Sequence, residues 1–143
     1  MSSARQKVDT RWRILRGGQK KYAVPFAPNP HFQTIDGNRL LLGAVVAERV
    51  GQAQEYVRAV FEGVWAKSTA FADDQELEDL LRAAGVSQIA EILQGRKQSQ
   101  KTQASYQDMA EGAGVFGVPS MVVEDELYFG NDRFEFLEEA LAR

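Results

Sequence analysis

The sequence predicts an α/β chain in which a series of helices runs into a strand, a tight turn, a second strand and a closing helix. Three observations predict it. Apolar residues recur at three- and four-residue spacing before position 112 and again after 133. Between them, glycines and a proline bracket a short β-branched run, Gly114-Val115-Phe116-Gly117-Val118-Pro119-Ser120-Met121-Val122-Val123. A second short run, Glu126-Leu127-Tyr128-Phe129, stops at Gly130-Asn131-Asp132, as a strand stops at a turn. These runs are too short to cross a membrane and too apolar for loops, so they belong in a sheet.

Taken in order, residues 1–21 are basic: Arg5, Lys7, Arg11, Arg13, Arg16, Lys20 and Lys21 stand against Asp9. Such an arm suits an anionic ligand or a solvated helix face, and no nucleic-acid motif accompanies it. Trp12, Leu15 and Tyr22 form a weak helical stripe that Gly17-Gly18 interrupts, each glycine costing a helix about 1 kcal/mol. Pro25, Pro28 and Pro30 make residues 24–32 an extended loop.

Asn38 to Glu48 is an apolar helix for which Asn38 serves as the predicted N-cap. Gln52 to Lys67 carries Tyr56, Val57, Val60, Phe61, Val64 and Trp65 on one wide apolar face, so these two helices should pack together. Asp74 to Ala84 opens on an acidic turn and stops at Gly85. A short helix over Ser87–Leu93, capped by Ser87, precedes a polar helix from Gln98 to Gly112. In the last helix Phe134, Leu137 and Leu141 predict a buried stripe. Two strands are marginal alone in water, so the hairpin needs further strands or an apolar cover.

With 143 residues, 44% hydrophobic and 26% charged, the chain can hold a core and has an ordinary soluble composition. It contains no cysteine, which excludes disulfides, thiolate metal sites and a Cys-x-x-Cys redox pair. No run reaches the length of a membrane span and the first residues lack a signal-peptide core, so the expected location is cytoplasmic. No serine has a nucleophile elbow, the acids at 73–79 lack metal-ligand spacing, and Gly112-x-Gly114-x-x-Gly117 precedes a strand instead of following one. Trp12, Trp65, Phe116, Tyr128 and Phe129 are expected in the core.

Gly-Val-Phe-Gly-Val-Pro, a strand, Phe-Gly-Asn-Asp-Arg and an acidic amphipathic helix together resemble the C-terminal end of the 2-hydroxychromene-2-carboxylate isomerase and kappa-class glutathione transferase family. Tyr22-x-Val24-Pro25-Phe26 and Asn29-Pro30-His31-Phe32 resemble the same family's passage into its helical insertion. Departures fall at Ile14, where the family carries an acid, and at Gly18-Gln19, where it carries an aromatic-Ala pair. The resemblance runs from about Lys7 to the end of the chain. It implies a DsbA-like, thioredoxin-like fold with a helical insertion: residues 1–37 as linker helix and Pro-rich loop, 38–95 as insertion, 96–143 as the C-terminal part of the thioredoxin-like domain. It also implies that the family's N-terminal βαβ portion, with its catalytic Ser or Cys, has no counterpart here, leaving no catalytic residue in this chain.

On residues alone the Val118-Pro119 bond is expected trans, and the resemblance implies cis. The resemblance further implies glutathione as cosubstrate. Val118 would pair with the cysteinyl unit, Asn131 and Asp132 would hold the γ-glutamyl end, and Lys7 would meet the glycyl carboxylate. Asn131-Asp132 is equally readable as a helix cap, and Lys7 as a surface lysine. His31 and Phe32 would line a pocket for a small aromatic substrate, although a lone histidine in such a loop is commonly structural.

The implied function is a glutathione-dependent cis-trans isomerase of aromatic, naphthalene-type degradation, as a homodimer, with neither nucleic acid nor membrane as partner and no metal. The alternatives are a kappa-like glutathione transferase, a DsbA-like thiol oxidoreductase and a non-catalytic truncated scaffold.

Overall fold

A computed structural model describes residues 23–142. Lys7, Trp12 and the basic arm lie outside the described residues. The chain divides into two units, Met1–Ser99 and Gln100–Arg143.

In the first unit, α1 spans Gly37–Arg49 and α2 spans Ala53–Trp65. The cap of α1 is Asp36, not Asn38: its carboxylate accepts from Arg39 N at 3.0 Å. Asp caps as well as Asn, and the helix simply begins one residue earlier, at Gly37. The two helices meet where Gly43 faces Tyr56. A Cβ on Gly43 would lie 2.1 Å from the Tyr56 hydroxyl oxygen, so only glycine fits there. That hydroxyl donates to the Leu40 carbonyl at 2.9 Å, which satisfies it in its buried position. Burial pushes the Tyr56 pKa up to about 12.

The apolar face of α2 is narrower than its sequence suggests. Tyr56, Ala59, Val60 and Val64 are buried, whereas Val57 and Phe61 face solvent. Helix α3, Asp74–Ala83, inserts Leu77 and Leu81, both fully buried, each worth about 1.5–3 kcal/mol of transfer free energy. Its start is held twice: Asp73 accepts from Glu76 N at 2.9 Å, and the Glu76 carboxylate accepts from Ala72 N at 2.9 Å. Helix α4, Ile89–Gly95, adds Ile89 and Ile92 to the same core.

Ser87 does not cap α4. Its hydroxyl accepts from Gln52 Nε2 at 3.0 Å, while Gln52 Oε1 accepts from both Ser87 N and Gln88 N. A side chain from the start of α2 thus anchors the turn that leads into α4, whose cap position, Gln88, makes no side-chain cap bond.

Arg96 joins α4 to the start of α3 by a two-pronged bond to the Asp74 carboxylate, one prong measuring 2.8 Å and the other running from Nη2 to Oδ2. Arg39 approaches the same carboxylate at 3.7 Å and donates to the Phe71 carbonyl. The Arg96 hydrogen bond, more than any other influence, holds Asp74 below the usual carboxylate range.

In the second unit, α5 spans Gln100–Gly112, β1 Ser120–Val123, β2 Glu126–Phe129 and α6 Phe134–Leu141. The strands are antiparallel, pairing Ser120 with Phe129, Met121 with Tyr128, Val122 with Leu127 and Val123 with Glu126. Glu124 and Asp125 make the turn, with Glu124 at φ +55°. Helix α6 packs on β1.

No residue of α5, of the hairpin or of α6 is fully buried. Phe134 and Leu141 are exposed and Leu137 only half-buried, so the predicted buried stripe is an open one. The apolar pattern is present, but β1 covers it only in part, at Leu137 and Ala140. Phe116 and Phe129 likewise lie at the surface instead of in the core, while Trp65 packs half-buried against the core of the first unit.

Candidate functional site

The register fixes which backbone groups each strand edge presents. A two-residue turn makes Val123 and Glu126 a hydrogen-bonded pair, and antiparallel pairs alternate, so Met121–Tyr128 is bonded and Val122–Leu127 is not. Gly130 N donates to the Pro119 carbonyl at 2.9 Å, which carries the alternation one step further. Ser120 and Val122 therefore turn their N–H and C=O groups to the outer edge of β1. Leu127 and Phe129 turn theirs to the outer edge of β2.

Val118 is 87% exposed and neither of its backbone groups is bonded within the described residues. The Val118-Pro119 bond is cis. The Gly130–Pro119 bond brings Asn131 and Asp132 to the same end of the hairpin as Val118, although thirteen positions separate Val118 from Asn131 in the chain. Gly130 has φ +101°, and a Cβ there would lie 2.6 Å from Asp132 Oδ1. The Asp132 carboxylate is thus folded back over the glycine. Both Asn131 and Asp132 are exposed. Helix α6 begins with Arg133 in the cap position and no side chain bonds its free N–H groups, so neither residue acts as the cap.

His31 and Phe32 belong to the first unit. Asn29 is buried, donates to the Thr69 carbonyl at 2.9 Å and accepts from His31 N at 2.8 Å. The Phe32 ring lies 5.1 Å from that of Trp65, and Phe26 stacks on Trp65 at 6.0 Å. The loop thus sets an aromatic trio with the histidine beside it.

A feature without a sequence signal is a hollow of about 550 Å³ in the second unit. All four residues of β2 line it and none of β1 does; Phe116, Arg133, Phe136 and Glu139 complete it. Phe116 and Phe129 pack at 4.7 Å, and the Arg133 guanidinium sits 5.5 Å above the Phe136 ring. Among the described residues no cluster of His, Cys, Asp or Glu could hold a metal ion, and no helix is long and apolar enough to cross a membrane.

The family model of the DSBA-like thioredoxin domain matches residues 3–142. The chain belongs to the DsbA-like thioredoxin family, and the fold is that family's. Among particular relatives, it is 33% identical over 128 residues to 2-hydroxychromene-2-carboxylate isomerase of Sphingobium xenophagum, covering 85% of this chain and 61% of that protein. It is 24% identical over 140 residues to glutathione S-transferase kappa 1 of Caenorhabditis elegans, covering 89% and 62%. A solved structure of 2-hydroxychromene-2-carboxylate isomerase superposes with a TM-score of 0.75 at 26% identity, over 98% of this chain and 68% of that one. The chain spans about 61% of the length of the Sphingobium relative.

Proposed function

We propose that this chain serves a glutathione-dependent cis-trans isomerase acting on a 2-hydroxychromene-2-carboxylate-like substrate in aromatic, naphthalene-type degradation, in the cytoplasm. The observation that carries the reading is the convergence of an unbonded strand edge at Val118 with the Asn131-Asp132 elbow. An extended tripeptide can pair with the edge through its cysteinyl backbone. The Asp132 carboxylate suits the ammonium of a γ-glutamyl group, and Asn131 beside the uncapped start of α6 suits its carboxylate.

Glutathione supplies a thiol that adds reversibly to a conjugated double bond and so frees it to rotate. The residues assigned here bind and orient the tripeptide; none of them activates the thiol. His31 and Phe32 are assigned to the wall that receives the aromatic substrate, and Lys7 to the glycyl carboxylate.

Calorimetric titration of glutathione into the chain tests the reading. Saturable binding is expected, with Asp132→Ala weaker by roughly 10-fold, the size of a lost charge-assisted hydrogen bond. An absence of heat at millimolar glutathione would favour a non-catalytic body, and an unchanged affinity in Asp132→Ala would remove that residue's role.

A further inference from the structure

We infer that the outer edge of β2 is a second docking edge, which takes an extended peptide strand with alternating apolar and basic side chains. Leu127 and Phe129 point their N–H and C=O groups there, and no backbone bond uses them within the described residues. The hollow of about 550 Å³ is lined by residues from both faces of β2 and none from β1, so it wraps the edge of the strand and does not lie on one face of the sheet. Unbonded backbone groups beside a formed groove are the physical requirement for strand addition.

The pleat fixes the chemistry of the incoming strand. Leu127 and Phe129 share one face with the Phe116 ring, and Glu126 and Tyr128 share the other, where the Tyr128 hydroxyl donates to the Glu126 carboxylate. A strand paired with β2 alternates in step, presenting apolar residues toward Phe116 and Phe129 and basic ones toward Glu126. Charge selects this occupant over a second copy of the chain. From the turn to the end of α6 there are seven acids (Glu124, Asp125, Glu126, Asp132, Glu135, Glu138, Glu139) against Arg133, and a copy would bring the same excess to the seam.

The probe is a fluorescein-labelled Lys-Val-Lys-Val-Lys peptide, amidated at its C-terminus, followed by anisotropy at low salt. Saturable binding is expected, with Glu-Val-Glu-Val-Glu at least 10-fold weaker. The valines oppose Leu127 and Phe129, whose bonding groups face outward, so the valine amides are the ones that bond to β2. N-methylating them should abolish binding, whereas N-methylating the central lysine amide should leave it within 2-fold. Leu127→Pro, which removes an outward N–H and no hairpin bond, should also abolish binding while the circular dichroism spectrum is retained. The proposal is overturned by equal binding of the acidic peptide, by equal effects of the two methylations, or by a dimer in sedimentation that the basic peptide does not dissociate. Because Val118 precedes β1 and does not line the hollow along β2, glutathione binding should be unaltered by Leu127→Pro, whichever way the peptide behaves.

Discussion

The two units of this chain are built from similar fractions of apolar residues and use them in opposite ways. The first closes four helices over Val46, Tyr56, Leu77, Leu81 and Ile92, with its polar groups paired by Gln52, Arg96 and Asp74. The second has helices and a hairpin of correct local geometry and, among its described residues, not one that is fully buried: Phe116 is 74% exposed and Met109 68%. Good secondary structure is therefore separable from a core. Hydrogen bonding shaped both units, but among the described residues the first removes far more of its apolar surface from water.

The largest effect that would test this contrast is Leu81→Ala. It should destabilise the chain by roughly 3 kcal/mol in urea unfolding, through lost transfer energy and the cavity left behind. Amide hydrogen exchange should show the same division, with α2 and α3 strongly protected and α5 and α6 exchanging with little protection. Comparable protection in α6 would break the contrast.

Next in size is the alkaline limb of stability. The folded pKa of Tyr56, about 12, lies above the unfolded value of 10.0, so the stabilisation is intact below pH 10 and is lost as pH rises toward 12. The loss across that window should be roughly 2–3 kcal/mol, and Tyr56→Phe should flatten it while costing about 1 kcal/mol at neutral pH.

Asp74 gives a smaller effect of opposite direction. Its folded pKa is lowered, so the stabilisation is present above the unfolded value of 3.8 and disappears as pH falls through the folded one. Half-exposed and solvent-screened, it should contribute modestly. Asp74→Asn should reduce the acid-side slope of the urea midpoint below pH 4, measured against the parent chain. Smallest of all should be Met109→Ser in α5, within about 0.5 kcal/mol of the parent. A larger loss would mean that the second unit has a core after all.

The same contrast decides what the sequence could disclose. The order of helices, the strands at 120–123 and 126–129 and the Gly-Asn-Asp elbow were legible, because local periodicity and turn chemistry specify them. So was the thioredoxin-like, DsbA-like fold, through the motifs around Val118-Pro119 and Asn29-Pro30-His31-Phe32. The caps at Asn38 and Ser87 misled because a cap is a competition. Asp36 immediately precedes the true start at Gly37, which leaves Asn38 inside the first turn, and Ser87 stands one residue before the cap position, which Gln88 occupies, with its hydroxyl bonded to the distant Gln52. The stripe on α6 misled for another reason: an amphipathic pattern states which face avoids water but not what arrives to cover it. The hollow along β2 left no trace, since its walls come from Phe116, β2 and the residues from Arg133 to Glu139, and no single stretch of sequence states that they meet around a space.

One amide in the proline-rich loop has a consequence of its own. Asn29 clasps a carbonyl forty positions onward with one end of its side chain and steadies the peptide nitrogen of His31 with the other. A replacement there would act at a distance: the imidazole would remain chemically intact yet be carried out of place, and the aromatic rings around Trp65 would lose their shared anchorage. Aspartate at that position, nearly isosteric but unable to donate, would set a negative charge against the Thr69 carbonyl and turn a fastening into a repulsion.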